Sequence, residues 1–127
     1  MSNLEQLHHK LKKAWCAATS SDPAQWNARK PAYGQCAVTA CLVQDHFGGE
    51  IVWSQVTEKD GSKISHYFNK INGNEIDLTR DQFSREAVFS PTQPKTGNFN
   101  TTRDYVLSFP ATQQRYALLK KRMDDDR

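Results

Sequence analysis

The stretch Cys36-Ala-Val-Thr-Ala-Cys-Leu-Val-Gln-Asp-His-Phe-Gly-Gly-Glu-Ile-Val-Trp-Ser-Gln-Val-Thr57 decides the fold. Its first twelve residues put Val38, Cys41, Leu42 and Phe47 at helical spacing, with Ala37 and Ala40 small enough for close packing. This predicts a largely buried helix over about 36–47. Gly48-Gly49 ends it, because glycine readily adopts the left-handed C-terminal conformation. Glu50 to Thr57 is rich in Ile, Val and Trp and reads as a strand. Toward the C-terminus, Lys59-Asp60-Gly61 is a turn and Ser62 to Ile71 a second strand. Asn72-Gly73 is a hairpin signal, both residues tolerating positive φ, and Glu75 to Thr79 is the third strand. Asp81-Gln82-Phe83 begins a short turn or helix.

Toward the N-terminus, Leu4, Leu7, Leu11, Ala14, Trp15 and Ala18 predict an amphipathic helix over 3–18, stopped by Ser20-Ser21-Asp22-Pro23. Two prolines, Gly34 and the aromatics Trp26 and Tyr33 make 22–35 an ordered loop. Residues 90–102 form a polar loop. A last helix is expected over about 110–123, opened by Pro110, with Tyr116, Leu118, Leu119 and Met123 on its apolar side. The order predicts an α+β fold, helices packed on a small antiparallel sheet. With 127 residues, no internal repeat and no dividing linker, residues 1–127 form a single domain.

An aromatic content of 10% is too high for a disordered polypeptide, so a packed core is expected. No apolar run approaches the ~18 residues of a membrane span, so no membrane partner is predicted. Met1-Ser-Asn-Leu-Glu5 lacks a signal-peptide apolar region, which makes the cytoplasm the expected location. A net charge of +3, from 17 basic and 14 acidic residues, argues against a nucleic-acid partner. Lys10, Lys12 and Lys13, and Lys120, Lys121 and Arg122, read as solvated helix faces, and Asp124, Asp125 and Asp126 as a frayed tail. Three cysteines, Cys16, Cys36 and Cys41, make no disulfide framework. Cys36, Cys41, His46 and His66 lack the spacing of a zinc site, so neither metal nor cofactor is predicted. Nothing in the sequence sets an oligomeric state.

Chemistry enters at Tyr33-Gly34-Gln35-Cys36, which puts a cysteine at the start of a helix. The free N–H groups and positive dipole end there favour a thiolate, and the N–H of Cys36 is free to bind an oxyanion. A nucleophilic cysteine needs a base. His8 and His9 lie on the outer side of the first helix, and His46 sits about 15 Å along the axis from Cys36, which leaves His66. A two-residue loop at 72–73 pairs His66 with Thr79 and Phe68 with Asp77, so His66 and Asp77 are diagonal neighbours on one face, within reach of each other. Ile76 and Leu78 then share the opposite, core side with Tyr67 and Ile71. A thiol to attack, an imidazole to carry the proton and a carboxylate to fix the tautomer are the parts of nucleophilic catalysis. Taken singly, each residue reads more simply as packing or capping, and only the combination favours catalysis. Cys41 and Cys16 read as packing residues.

Gly34-Gln35-Cys36-Ala37-Val38-Thr39-Ala40, Gln44-Asp45 and Gly48-Gly49-Glu50-Ile51 resemble a small bacterial family of uncharacterised proteins, the YunG-like family. The resemblance continues through His66-Tyr67-Phe68-Asn69, Ile71-Asn72-Gly73, Asp77-Leu78-Thr79 and Gln82-Phe83, over roughly residues 4–90. The wider arrangement is similar to papain-like (cysteine proteinase-like) and transglutaminase-like thiol enzymes. That likeness implies a papain-like core with Cys36 as nucleophile, His66 as base and Asp77 as orienter. Papain-type peptidases carry an oxyanion-hole glutamine six residues before the cysteine. Lys30 holds that place here, which leaves Gln35, Trp26, Asn27 or the backbone as candidates. Asn69, a rival orienter, points away from His66 by strand alternation.

The reading is a cysteine-dependent hydrolase or acyl-transfer enzyme acting on a peptide, protein or small amide, with Trp26, Tyr33, Trp53 and Phe68 as cleft candidates. The alternative is a non-catalytic module that keeps these residues for packing and binds a peptide or protein through the loop at 90–102.

Overall fold

The computed structural model describes residues 3–125. Met1 and Ser2 of the N-terminal reading and Asp126 of the tail reading lie outside them. Helix α1 spans Asn3–Ala14, α2 Cys36–Phe47, α3 Thr102–Val106 and α4 Pro110–Asp125. Strands β1 (Glu50–Thr57), β2 (Lys63–Ile71), β3 (Asn74–Ile76) and β4 (Val88–Phe89) form one curled antiparallel sheet in the order β3-β2-β1-β4. The protein is thus α+β, with helices against a small sheet.

Leu7, Leu11 and Ala14 line the inner stripe of α1 and, with Trp15, meet Val38, Leu42 and Val43 of α2 and Leu119 and Met123 of α4. Full burial of a leucine such as Leu11 contributes roughly 1.5–3 kcal/mol. The first helix is shorter than the expected 3–18. The Thr19 hydroxyl donates to the Cys16 carbonyl and accepts from the Cys16 N–H, both at 3.0 Å, turning the backbone into a 3-10 turn at Ala17–Thr19 and leaving Ala18 exposed. His8 is also not fully on the outer side: half-buried, its ring lies edge-on to Trp15 at 6.2 Å.

Boundaries around the deciding stretch are as expected: α2 runs 36–47, and β1 runs 50–57. Gly49, at φ +74°, lies so close to β2 that a Cβ would come within 2.4 Å of the Lys70 carbonyl oxygen, so the second glycine is needed for strand contact as well as helix termination. β1 pairs with β2 from Glu50↔Lys70 to Thr57↔Lys63. Alternation turns Ile51, Tyr67 and Asn69 toward α2, where the Asn69 amide donates to the Ala40 carbonyl at 2.9 Å. His66 and Phe68 turn instead toward Phe83 and Phe89.

The hairpin register is the one read from Asn72-Gly73, with Ile71↔Asn74, Lys70↔Glu75 and Asn69↔Ile76. Its third strand stops at Ile76 rather than Thr79, because the Asp77 carboxylate accepts from the Thr79 N–H and hydroxyl and turns the backbone into a 3-10 turn at Arg80–Gln82. β4 and α3 went unpredicted: β4 is two residues held by pairing to Val56 and Thr57, and α3 is one short turn capped by the Thr101 hydroxyl. Asp124 and Asp125 continue α4 rather than fraying from it.

Candidate active site

Cys36 is the first residue of α2. The loop ahead of it is held by two serines. The Ser20 hydroxyl donates to the Tyr33 carbonyl at 2.9 Å, and the Ser21 N–H donates to the Gly34 carbonyl at 2.9 Å. Gly34 is at φ +72°, and a Cβ on it would sit 2.2 Å from the Ser20 hydroxyl oxygen. Only glycine satisfies both constraints, so Gly34 is what lets the backbone enter α2 with Cys36 in this place.

His66 is completely buried. Its ring stacks on Phe68 at 5.3 Å and meets Phe83 and Phe89 edge-on at 4.8 and 5.6 Å. Nε2 lies 2.6 Å from Asp77 Oδ2, and that carboxylate is 13% exposed. An ionised carboxylate only accepts, so Nε2 carries the proton. Nδ1, the other ring nitrogen, is buried and has no partner of normal hydrogen-bond geometry. The Cys36 side chain nevertheless lies close enough to act on the imidazole. Burial is the largest single influence on His66 and pulls its pKa down. The bond to the Asp77 carboxylate and the closeness of Cys36 outweigh it and push the pKa up to about 9.

Cys36 opens onto a cavity of about 240 Å³ whose wall includes Ser21, Ser65, Tyr67, Phe109 and Arg115. Burial, the largest cause, and the charges of Tyr105 and Cys36 push the Tyr67 hydroxyl up to about 12, so it stays a neutral donor. The other cysteines are placed differently. Cys41 is fully buried and its thiol is pushed up to about 12 by burial, while Cys16 is half-buried in the turn after α1.

The suggested oxyanion donors are not at this cavity. Gln35 is fully buried, and its side-chain amide donates to the Cys16 carbonyl at 3.0 Å, tying α2 to the end of α1. The Trp26 N–H donates to the Pro31 carbonyl at 3.0 Å, and Asn27 is exposed and accepts from the Arg29 N–H. Tyr33, Trp53 and Phe68 do not line the cavity either. Sequence reasoning missed Arg115. It lies three residues after buried Thr112 and four before buried Leu119, so a charged residue on the inward stripe of α4 is the signal that marks it. Among the described residues, no three His, Cys, Asp or Glu side chains gather as metal ligands, and no helix is long and apolar enough to cross a membrane.

The model of the YunG protein family matches residues 3–127. A Bacillus subtilis (strain 168) relative, "Uncharacterized protein YunG", is 40% identical over 80 residues. That match takes in 63% of this protein and 63% of the relative, so less than two thirds of the relative's length is spanned. No solved structure matches the sequence. The protein belongs to the YunG family.

Proposed function

We propose that this member of the YunG family is a thiol enzyme that cleaves or transfers an amide-linked acyl group, with Cys36 as nucleophile, His66 as general base and acid, and Asp77 as the group that orients and charges the imidazole. One observation carries the reading: a fully buried histidine whose Nε2 is bound to a carboxylate at 2.6 Å, while its unpartnered Nδ1 is left for the thiol at the N-terminus of α2. Burying an imidazole with one nitrogen unpaired costs about 1–3 kcal/mol, which a thiol brought up to Nδ1 would offset. A cysteine at a helix start with histidine and aspartate or asparagine on neighbouring strands is also the arrangement of papain-like enzymes, and the fold is proposed to be a minimal version of that core.

The chemistry follows from the positions. With its pKa raised to about 9, His66 is the group that holds the proton Cys36 gives up on becoming the nucleophile. Cys36 Sγ bonds to the carbonyl carbon, and the carbonyl π electrons move onto oxygen. The backbone N–H of Cys36, free at the first turn of the helix, is the donor for that oxyanion. No glutamine side chain is needed, consistent with Gln35 being committed to Cys16. The tetrahedral adduct collapses, the C–N bond breaks, and the amine leaves with the Nδ1 proton. Water, or a second amine, then attacks the thioester while Nδ1 takes its proton and Sγ leaves as thiolate.

The test is acylation by p-nitrophenyl acetate. The expected result is a burst of p-nitrophenolate, an acetyl group on Cys36 by mass spectrometry, and loss of both in Cys36→Ser and His66→Ala. Acetylation of Cys16 in preference to Cys36 in the folded protein would overturn the reading.

A further inference from the structure

Arg115 stands on the wall of the Cys36 cavity and is, among the described residues, the one Asp, Glu, Lys or Arg side chain that lines it. Its Nη2 donates to Thr112 Oγ1 at 3.1 Å. Its Nε is buried and has no partner. Among the described residues, no carboxylate is in ion-pair contact with it, and no acidic side chain lines the cavity. Arg103, at the other end of α2, shows the contrast: it pairs with Asp45 at 3.0 Å and also bonds Gln44, Tyr116 and the Cys41 carbonyl.

A guanidinium has five N–H donors in a planar fork that fits a carboxylate at two points. A half-buried one with a single hydroxyl partner is under-satisfied, and an incoming anion restores what burial removed. Burial lowers its pKa from the ordinary value, and charge on Cys36 raises it, so the two residues sense each other across the cavity. At about 240 Å³ the space falls below the ~300–1,000 Å³ of drug-sized ligand pockets, so it takes a residue-sized group.

We propose that Arg115 is a specificity-determining subsite for a carboxylate borne by the substrate beside the carbonyl that Cys36 attacks. The proposal rests on the thiol-enzyme reading above. The substrate class is then an amide with a free carboxylate within a residue's length, either the terminal α-carboxylate of a peptide or the carboxylate of an acidic residue.

The probes are iodoacetate and iodoacetamide, which share the reacting carbon and differ in carboxylate against amide. The quantity read is the ratio of their alkylation rates at Cys36, in which any change in the thiol itself cancels. Arg115→Gln is expected to lower the iodoacetate-to-iodoacetamide ratio about tenfold, the size of one charge-assisted contact. Arg115→Lys, which keeps the charge and the fold should the glutamine variant not fold, is expected to lie between. A ratio unchanged in Arg115→Gln, or in Arg115→Lys if only that variant folds, overturns the proposal. Failure of the underlying reading shows elsewhere: His66→Ala would leave the iodoacetamide rate itself unchanged. Protection of Cys36 by N-acetylalanine assigns the terminal α-carboxylate, and protection by the α-amide of N-acetylaspartate assigns the acidic residue. Equal protection by N-acetylalaninamide contradicts both.

Discussion

His66 Nε2 and Asp77 Oδ2 meet at 2.6 Å across the Asn72-Gly73 hairpin, eleven residues apart in sequence. Asp77's other oxygen, Oδ1, accepts from both the N–H and the hydroxyl of Thr79 at 3.1 Å. The carboxylate is therefore fixed at both ends, and it sets the tautomer of the imidazole whenever the ring is neutral.

Asp77→Asn tests that tautomer. Thr79's two donors require an oxygen at the Oδ1 position, so the amide nitrogen of the variant falls against His66 Nε2. The ring then loses the carboxylate that raised its pKa, keeps a single proton on Nδ1, and Nδ1 can no longer take the proton of the thiol. Acylation of Cys36 is expected to fall by about 100-fold or more with the circular dichroism spectrum unchanged. Acylation within a few-fold of the parent protein would show that Asp77 has no orienting role.

The pH dependence of stability follows from His66. Its pKa is raised from 6.5 to about 9 by folding, so its stabilising contribution is complete below about pH 6.5 and is lost as pH rises through about 9. Denaturant unfolding between pH 6 and pH 10 should therefore show a decline on the order of 3 kcal/mol that is absent in His66→Gln. Parallel curves for the two proteins would refute the ion-paired histidine.

The hairpin explains how far the site was legible beforehand. Side-chain alternation has a period of two, so a two-residue turn suffices to place His66 and Asp77 on one face even though β3 ends one residue before Asp77. Cys36 was legible because Gly34 and the apolar spacing after it mark a helix start. Arg115 was not, because α4 carries a charge on nearly every turn, and only its spacing from Thr112 and Leu119 sets this one inward. The bond from the Gln35 amide to the Cys16 carbonyl was not legible, because that carbonyl is presented to it only where the helix predicted over 3–18 breaks. β4 has too few residues for a pattern of its own.

Gly34→Ala is expected to destabilise the fold by about 2 kcal/mol or more, since a left-handed φ alone costs an alanine about 1–2 kcal/mol and the new methyl meets Ser20. Chemical unfolding of the variant against the parent protein measures the loss. An alanine variant as stable as the parent would show that the loop before Cys36 is not constrained as described.

Thiol selectivity is a further expectation. Cys41 has no exposed surface and a thiol pushed up to about 12, so it should resist iodoacetamide until the protein unfolds, while Cys36 reacts in the folded state. Peptide mapping after timed alkylation with and without urea checks this. Labelling of Cys41 at the rate of Cys36 in the native protein would be incompatible with the packing.

The central claim is that His66 Nδ1 serves the Cys36 sulfur, and the most direct measurement is the iodoacetamide rate at Cys36, at pH 7, in the parent protein and in His66→Ala. The account predicts at least about a tenfold fall in the variant, with Cys16 unaffected as an internal control. An equal rate at Cys36 in a folded His66→Ala protein would contradict it.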